Sequence, residues 1–221
     1  MSLSFGILVF PQVQQLDLTG PYEVFASARG AEVHLIWKDT APLKAATGLT
    51  LTPTTTFAAC PPLDVLCVPG GSGVNPLLND ETVLAFLRER AAQVRYLTSV
   101  CTGSLVLGMA GLLTGKRATS HWNAHDLLAR FGAIPTEGRV VRDGNLITAG
   151  GVTSGIDFGL TVIAELLGEE EAQLIQLSLE YAPQPPFRAG TPQEAPEAIL
   201  AAARQRLAGS RAAREKLLAA L

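Results

Sequence analysis

Short apolar runs, each stopped by proline, glycine or a small polar residue and followed by residues at helical spacing, recur through most of this chain. Phe5-Gly6-Ile7-Leu8-Val9-Phe10 stops at Pro11. Val65-Leu66-Cys67-Val68 closes on Pro69-Gly70-Gly71-Ser72-Gly73, and Tyr96-Leu97-Thr98-Ser99-Val100 closes on Cys101-Thr102-Gly103. Runs this short and this uniformly apolar are strands buried on both faces. Strands alternating with helices predict an α/β fold: a mostly parallel sheet sandwiched between helices.

The intervening segments supply the second layer. A helix is expected from about Pro21, where proline suits a first turn, with Val24, Phe25 and Ala28 on one face and Gly30 as its stop. Residues 33–37 read as a strand. Residues 43–56, rich in threonine and broken by Gly48 and Pro53, read as short strands and turns. Asn79 or Asp80 can cap a helix carrying Val83, Phe86 and Leu87. Helices are expected over 103–110 and 124–131. Residues 139–148 read as a hairpin with an Asp143-Gly144 turn. Ile156, Leu160, Ile163 and Leu167 predict the apolar face of a helix stopped by Gly168.

Prolines at 183, 185, 186, 192 and 196 stiffen a connection to an Ala-rich helical tail. Its apolar positions are Ile199, Leu200, Ala203 and Leu207, then Leu217, Leu218 and Leu221, with a break expected at Gly209-Ser210. Residues 1–190 form the expected α/β domain, and 191–221 a helical extension that packs on it or on a second subunit.

Composition narrows the function. With 17 Lys+Arg against 20 Asp+Glu the net charge is −3, which offers no field for phosphates and sets nucleic acid aside. Three cysteines are too few for a disulfide scaffold and point to a reducing compartment. The start Met1-Ser2-Leu3-Ser4-Phe5 has no signal-peptide pattern. Residues 96–115 carry one cation-free, anion-free stretch of spanning length, but four glycines fit a strand, a turn and a buried helix better than a membrane span.

Cys101 is the leading candidate for chemistry. It stands where a strand meets a helix, at the edge where open parallel sheets put their sites. A helix N-terminus there would favour thiolate. Cys67 in its strand and Cys60 before Pro61-Pro62 read as packing or loop residues. The Gly70–Gly73 loop could turn backbone N–H groups toward developing charge, or be a plain turn; it lacks a nucleotide-binding glycine pattern. His121 and His125 lie four apart beside Asp126, a spacing that could hold a metal but has no clear third ligand. His34 reads as one side of a strand. Asp17 is either a solvated or capping acid, or an acid facing the same edge as Cys101, with Glu23 competing for that role.

Five stretches in order resemble the ThiJ/PfpI superfamily: 16–25 (Leu-Asp-Leu-Thr-Gly-Pro-Tyr-Glu-Val-Phe), 68–71, 99–103, 118–122 and 153–157. The resemblance implies a flavodoxin-like, class I glutamine-amidotransferase-like fold. Residues 179–190 resemble its isonitrile hydratase subgroup. That likeness implies a cysteine nucleophile at Cys101, functional partners at Asp17 and Thr102, and the superfamily histidine at His121. It also implies a cytoplasmic homodimer without metal or organic cofactor, converting a small-molecule isonitrile to an N-substituted formamide. Backbone N–H groups near Gly71 and Thr102 would assist. Other branches hydrate α-oxoaldehydes or act as Cys–His peptidases, commonly with glutamate where this chain has Asp17. A ligand or redox sensor related to AraC-type regulators is the non-enzyme alternative; the short tail after Pro196 and the negative charge stand against DNA binding.

Overall fold

In the computed structural model, residues 3–219 are described. Met1 and Ser2 of the leader reading, and Leu221 of the tail, lie outside them.

The first half runs β1 (Leu3–Leu8), α1 (Gln15–Ala26), β2 (Ala31–Trp37), β3 (Leu43–Lys44), β4 (Thr50–Leu51), β5 (Thr55–Thr56), β6 (Val65–Val68), α2 (Val74–Leu77), α3 (Glu81–Ala91) and β7 (Tyr96–Val100). The second runs α4 (Gly103–Met109), β8 (Arg117–Ala118), a 3-10 helix (His125–Phe131), β9 (Ile134–Pro135), β10 (Val140–Asp143) and β11 (Leu146–Ala149). Helices α5 (Ser154–Leu167), α6 (Glu169–Ser178) and α7 (Glu197–Leu218) complete it.

One sheet dominates, in the order β10-β11-β7-β6-β1-β2-β5, parallel except for the edge strand β10. Its central strands are buried on both faces: Phe5, Ile7, Leu66, Cys67, Val68 and Val100 have no exposed surface. Helix α5 packs against both α1 and α6, while α2, α3 and α4 form a second group. Asp80 caps α3 by accepting from the Val83 N–H, and Val83, Phe86 and Leu87 turn inward. The expected fold class is therefore the observed one.

Four local expectations are corrected. Helix α1 begins at Gln15, not Pro21, because the buried line Leu18, Pro21, Val24, Phe25 and Ala28 extends the helical period upstream. Pro21 sits inside the helix, against α5: a Cβ on Gly155 would lie 3.1 Å from its ring. The hairpin turn is Gly144-Asn145, since Asp143 pairs with Leu146. Gly144 takes φ +63° at the first central position, where a two-residue turn needs left-handed backbone. The buried face of α5 is Gly155, Phe158, Gly159, Val162 and Ile163, whereas Leu160 is half-buried and Leu167 exposed. Close approach of α1 selects small residues there, since a Cβ on Gly159 would come within 3.0 Å of Val24.

Helix α7 is the fourth. It runs unbroken for 22 residues through Gly209-Ser210. A glycine costs about 1 kcal/mol in a helix, and tertiary contacts outweigh that here. Arg211 pairs with Asp126 at 2.7 Å, Arg214 is buried, and Leu218 is buried beside it. Residues 96–115 divide into β7, the seven-residue α4 and turns. Among the described residues no helix is long and apolar enough to cross a membrane.

Candidate active site

From β1 the sheet grows one way to β2 and the other way to β6, β7 and β11. This reversal opens a crevice at the carboxyl ends of β1 and β6, the place where such sheets take ligands. Asp17 follows β1 on the first turn of α1, Gly70 and Gly71 follow β6, and Cys101 follows β7. Parallel register therefore gathers three segments that are 30 to 84 residues apart in sequence.

Cys101 occupies the turn in left-handed backbone, φ +56°. A non-glycine residue there stores about 1–3 kcal/mol of strain and needs its surroundings to hold it. Its N–H is shared between the carbonyls of Ala149 (3.0 Å) and Gly150 (2.8 Å). Its carbonyl accepts from the hydroxyls of Ser104 (3.1 Å) and Ser120 (3.0 Å). Gly103 lets the turn close on the neighbouring strand: a Cβ there would stand 1.9 Å from the Val68 carbonyl oxygen.

Asp17 is fully buried, and its Oδ2 accepts from the Gly70 N–H at 2.9 Å. Its Oδ1 is buried without a hydrogen-bond partner by strict geometry, although the thiol of Cys101 lies close enough to interact with the carboxyl. Burial raises the Asp17 pKa from 3.8 to about 7; the Gly70 N–H and Cys101 pull the other way. A carboxyl poised there exchanges protons readily at neutral pH.

The thiol departs from expectation. Burial pushes Cys101 well above the ordinary thiol range, and the Asp17 carboxylate raises it further. Backbone N–H groups of Thr102 and Val152 favour the thiolate but do not win. Burial outweighs these N–H groups, which holds the thiol above its ordinary range beside the Asp17 carboxyl.

Thr102 is 3% exposed, and its Oγ1 accepts from the Gly71 N–H at 3.2 Å. Gly71 thus spends its N–H on holding that hydroxyl, not on a free anion-binding position. A Cβ on Gly70 would crowd Thr102 Oγ1 (2.6 Å) and Asp17 Oδ2 (2.9 Å), so the loop must be glycine here. Glu23 lies on the exposed side of α1, away from Asp17's buried side.

His121 sits on the segment whose Ser120 hydroxyl donates to the Cys101 carbonyl oxygen. Its Nδ1 accepts from the Asn123 N–H, and burial with Arg214 nearby lowers it to about 4, so the ring is neutral at pH 7. His121, Trp122, His125, Arg139 and Ser154 line a cavity of about 550 Å³ next to the nucleophile turn, a size suited to a small molecule. His125 Nε2 is engaged with the Thr136 carbonyl oxygen and Asp126 with Arg211. Among the described residues no three His, Cys, Asp or Glu side chains are grouped to hold a metal. Cys67 is fully buried with its thiol raised to about 12, and Cys60 is buried near Pro61. Phe25 is core, stacked on Phe5 at 4.5 Å.

The family model described as "DJ-1/PfpI family" matches residues 4–165. The chain belongs to the DJ-1/PfpI family. It is 64% identical over 210 residues to the isonitrile hydratase of Pseudomonas putida, covering 95% of this chain and 92% of that one. A crystal structure of a ThiJ/PfpI family protein from Pseudomonas syringae superposes with a TM-score of 0.96 at 45% identity, over 99% of this chain and 91% of that one. The HTH-type transcriptional regulator GbdR of Pseudomonas aeruginosa is 32% identical over 80% of this chain and 50% of its own length.

In this DJ-1/PfpI protein several residues around the nucleophile escape sequence reasoning. Ser104 and Ser120 hold the Cys101 carbonyl, and the Val152 N–H faces its sulfur. Ser120 and Val152 stand in or beside stretches that carried the family likeness, so proximity in sequence to those motifs was the available signal.

Proposed function

We propose that this chain is an isonitrile hydratase, converting R–N≡C and water to R–NH–CHO. What carries the reading is the buried Asp17 carboxyl against the Cys101 thiol, in a chain so similar to the Pseudomonas putida enzyme. Cys101 is the nucleophile, Asp17 the acid and base, and Thr102 the residue that sets the turn. Asp17 takes the thiol proton and delivers it to the isonitrile carbon as sulfur bonds to that carbon. The product is a thioimidate, R–N=CH–S, with Asp17 again a carboxylate. Water then adds to the thioimidate carbon, and Asp17 moves one of its protons to nitrogen. The adduct R–NH–CH(OH)–S breaks its C–S bond, and the hydroxyl proton returns to sulfur by way of Asp17. Dividing one hard addition into two is the gain of covalent catalysis.

The other branches are less well supported. A Cys–His peptidase needs the imidazole to take the thiol proton, whereas burial lowers His121 to about 4 and its Nδ1 is held by the Asn123 N–H. A redox sensor needs an exposed thiolate, whereas Cys101 is 6% exposed and its thiol is raised. The homodimer and cytoplasmic setting implied by family likeness belong to the same proposal; three buried free thiols suit a reducing compartment.

Incubation with several isonitriles and with methylglyoxal, reading formamide and lactate separately, tests it. Formamide is expected, and Cys101→Ala should abolish it while keeping the unfolding transition. Lactate alone, neither product, or full turnover by the alanine variant would overturn the assignment.

A further inference from the structure

The Cys101 turn is held from both sides by groups that β11 places. On one side the Cys101 N–H is shared between the carbonyl oxygens of Ala149 and Gly150, at and just past the end of that strand. On the other its carbonyl oxygen accepts two hydroxyls, from Ser104 at 3.1 Å and from Ser120 at 3.0 Å, so both lone pairs are spent. The Ser104 bond is local, made back across the first turn of α4, a pattern common for serine. The Ser120 bond spans 19 residues of chain. Its segment is fixed in turn by Thr119, whose N–H donates to Thr148 Oγ1 on β11 at 2.9 Å and whose hydroxyl donates to the Gly138 carbonyl oxygen at 3.2 Å.

Peptide planarity carries this hold to the next residue. In a trans peptide the C=O and the following N–H point in opposite directions. Whatever fixes the Cys101 carbonyl therefore fixes the direction of the Thr102 N–H, which faces the Cys101 sulfur. The Thr102 nitrogen is packed against the glycine loop: a Cβ on Gly70 would come within 2.6 Å of it. Cys101 itself, at φ +56°, keeps this backbone only because its neighbours hold it. Both serines are buried.

We propose that Ser120 is a positioning residue of the active site: its hydroxyl, with that of Ser104, locks the Cys101–Thr102 peptide so that the Thr102 N–H stays turned toward the nucleophile sulfur. The inference rests on Cys101 as the nucleophile of the proposed reaction. Ser120 also lines the cavity, together with His121 and Trp122, which follow it in the chain. The segment that borders the cavity thus also aligns the nucleophile. Without the Ser120 hydroxyl the carbonyl keeps Ser104 alone. The peptide plane is then free to rock, and the amide is no longer held at the sulfur as the C–S bond forms.

The test is Ser120→Ala and Ser104→Ala in the full chain. Each removes one oxygen, adds no bulk, and leaves the carbonyl with its other partner. Two readouts are taken: steady-state formamide production, and hydrogen exchange of the Thr102 amide against the amides of β7, followed by NMR. Both variants should speed Thr102 exchange about tenfold while β7 stays at the parent rate, because the opening is local to the turn. A merely structural role would speed both together. Ser120→Ala should also lower kcat about tenfold with KM within about twofold, since a small misplacement of a reacting group costs up to about 10²-fold. An unchanged Thr102 amide in either variant, a rise in β7 equal to that at Thr102, or parent-like kcat in Ser120→Ala overturns the proposal. If the parent protein makes no formamide, the isonitrile reading falls, and the exchange contrast still decides the role of Ser120.

Discussion

Asp17→Asn should make this protein more stable and nearly inactive, and the two effects should separate by pH. The carboxyl has no exposed surface, keeps one backbone hydrogen bond at 2.9 Å, and has its other oxygen unpartnered. Its pKa rises from 3.8 in the unfolded chain to about 7 in the fold, with burial the main cause. The sign follows directly. Between those values the folded protein holds a proton that the unfolded chain has released, so stability falls as pH rises and levels off above about 7. A shift of roughly three units at 1.36 kcal/mol each is about 4 kcal/mol. Asparagine can still accept from the Gly70 N–H and carries no charge to desolvate. Its advantage over the parent should therefore grow by about 4 kcal/mol, or roughly 10 °C in Tm, from about pH 4 to about pH 8. Calorimetric unfolding at both pH values measures it. Formamide kcat should meanwhile drop about 10²–10⁴-fold, the usual worth of a positioned acid–base group. In the parent, activity should fall below about pH 7, as protonated Asp17 can no longer take the thiol proton. A Tm difference of the same size at both pH values would refute the burial argument, and near-normal turnover would move the proton role to another group.

Two further substitutions probe the frame. Gly103→Ala would push a methyl against the Val68 carbonyl oxygen, 1.9 Å from its ideal position, and should cost about 3 kcal/mol or more in urea unfolding. Gly209→Ala meets nothing within 4 Å on the uninterrupted α7 and should add about 0.5–1 kcal/mol, measured the same way, with turnover unchanged.

Local patterns were the readable part. Apolar runs ending in glycine or proline located β6 and β7 to the residue, and the Asp80 cap and the β10–β11 hairpin followed from short-range chemistry. Errors arose where another element overrode the local signal. Pro21 looks like a helix start, yet lies mid-helix because α5 packs on it. The isoleucines and leucines of α5 outweigh its glycines on any apolar scale, yet Gly155 and Gly159 face α1 because only they permit the approach. Gly209-Ser210 looks like a break, yet Arg211 and Arg214 bind the helix down on the far side.

The sequence by itself determined the fold class, the chain position of Cys101 at a strand–helix turn, and Asp17 as its candidate partner. The tertiary structure decided their chemical states. Burial raises the Cys101 thiol where a helix N-terminus was expected to lower it, brings Asp17 up to about 7 and lowers His121 to about 4. Strands and turns depend on neighbours a few residues away. Proton affinities depend on which distant groups are buried together, and that is set only when the parallel register closes.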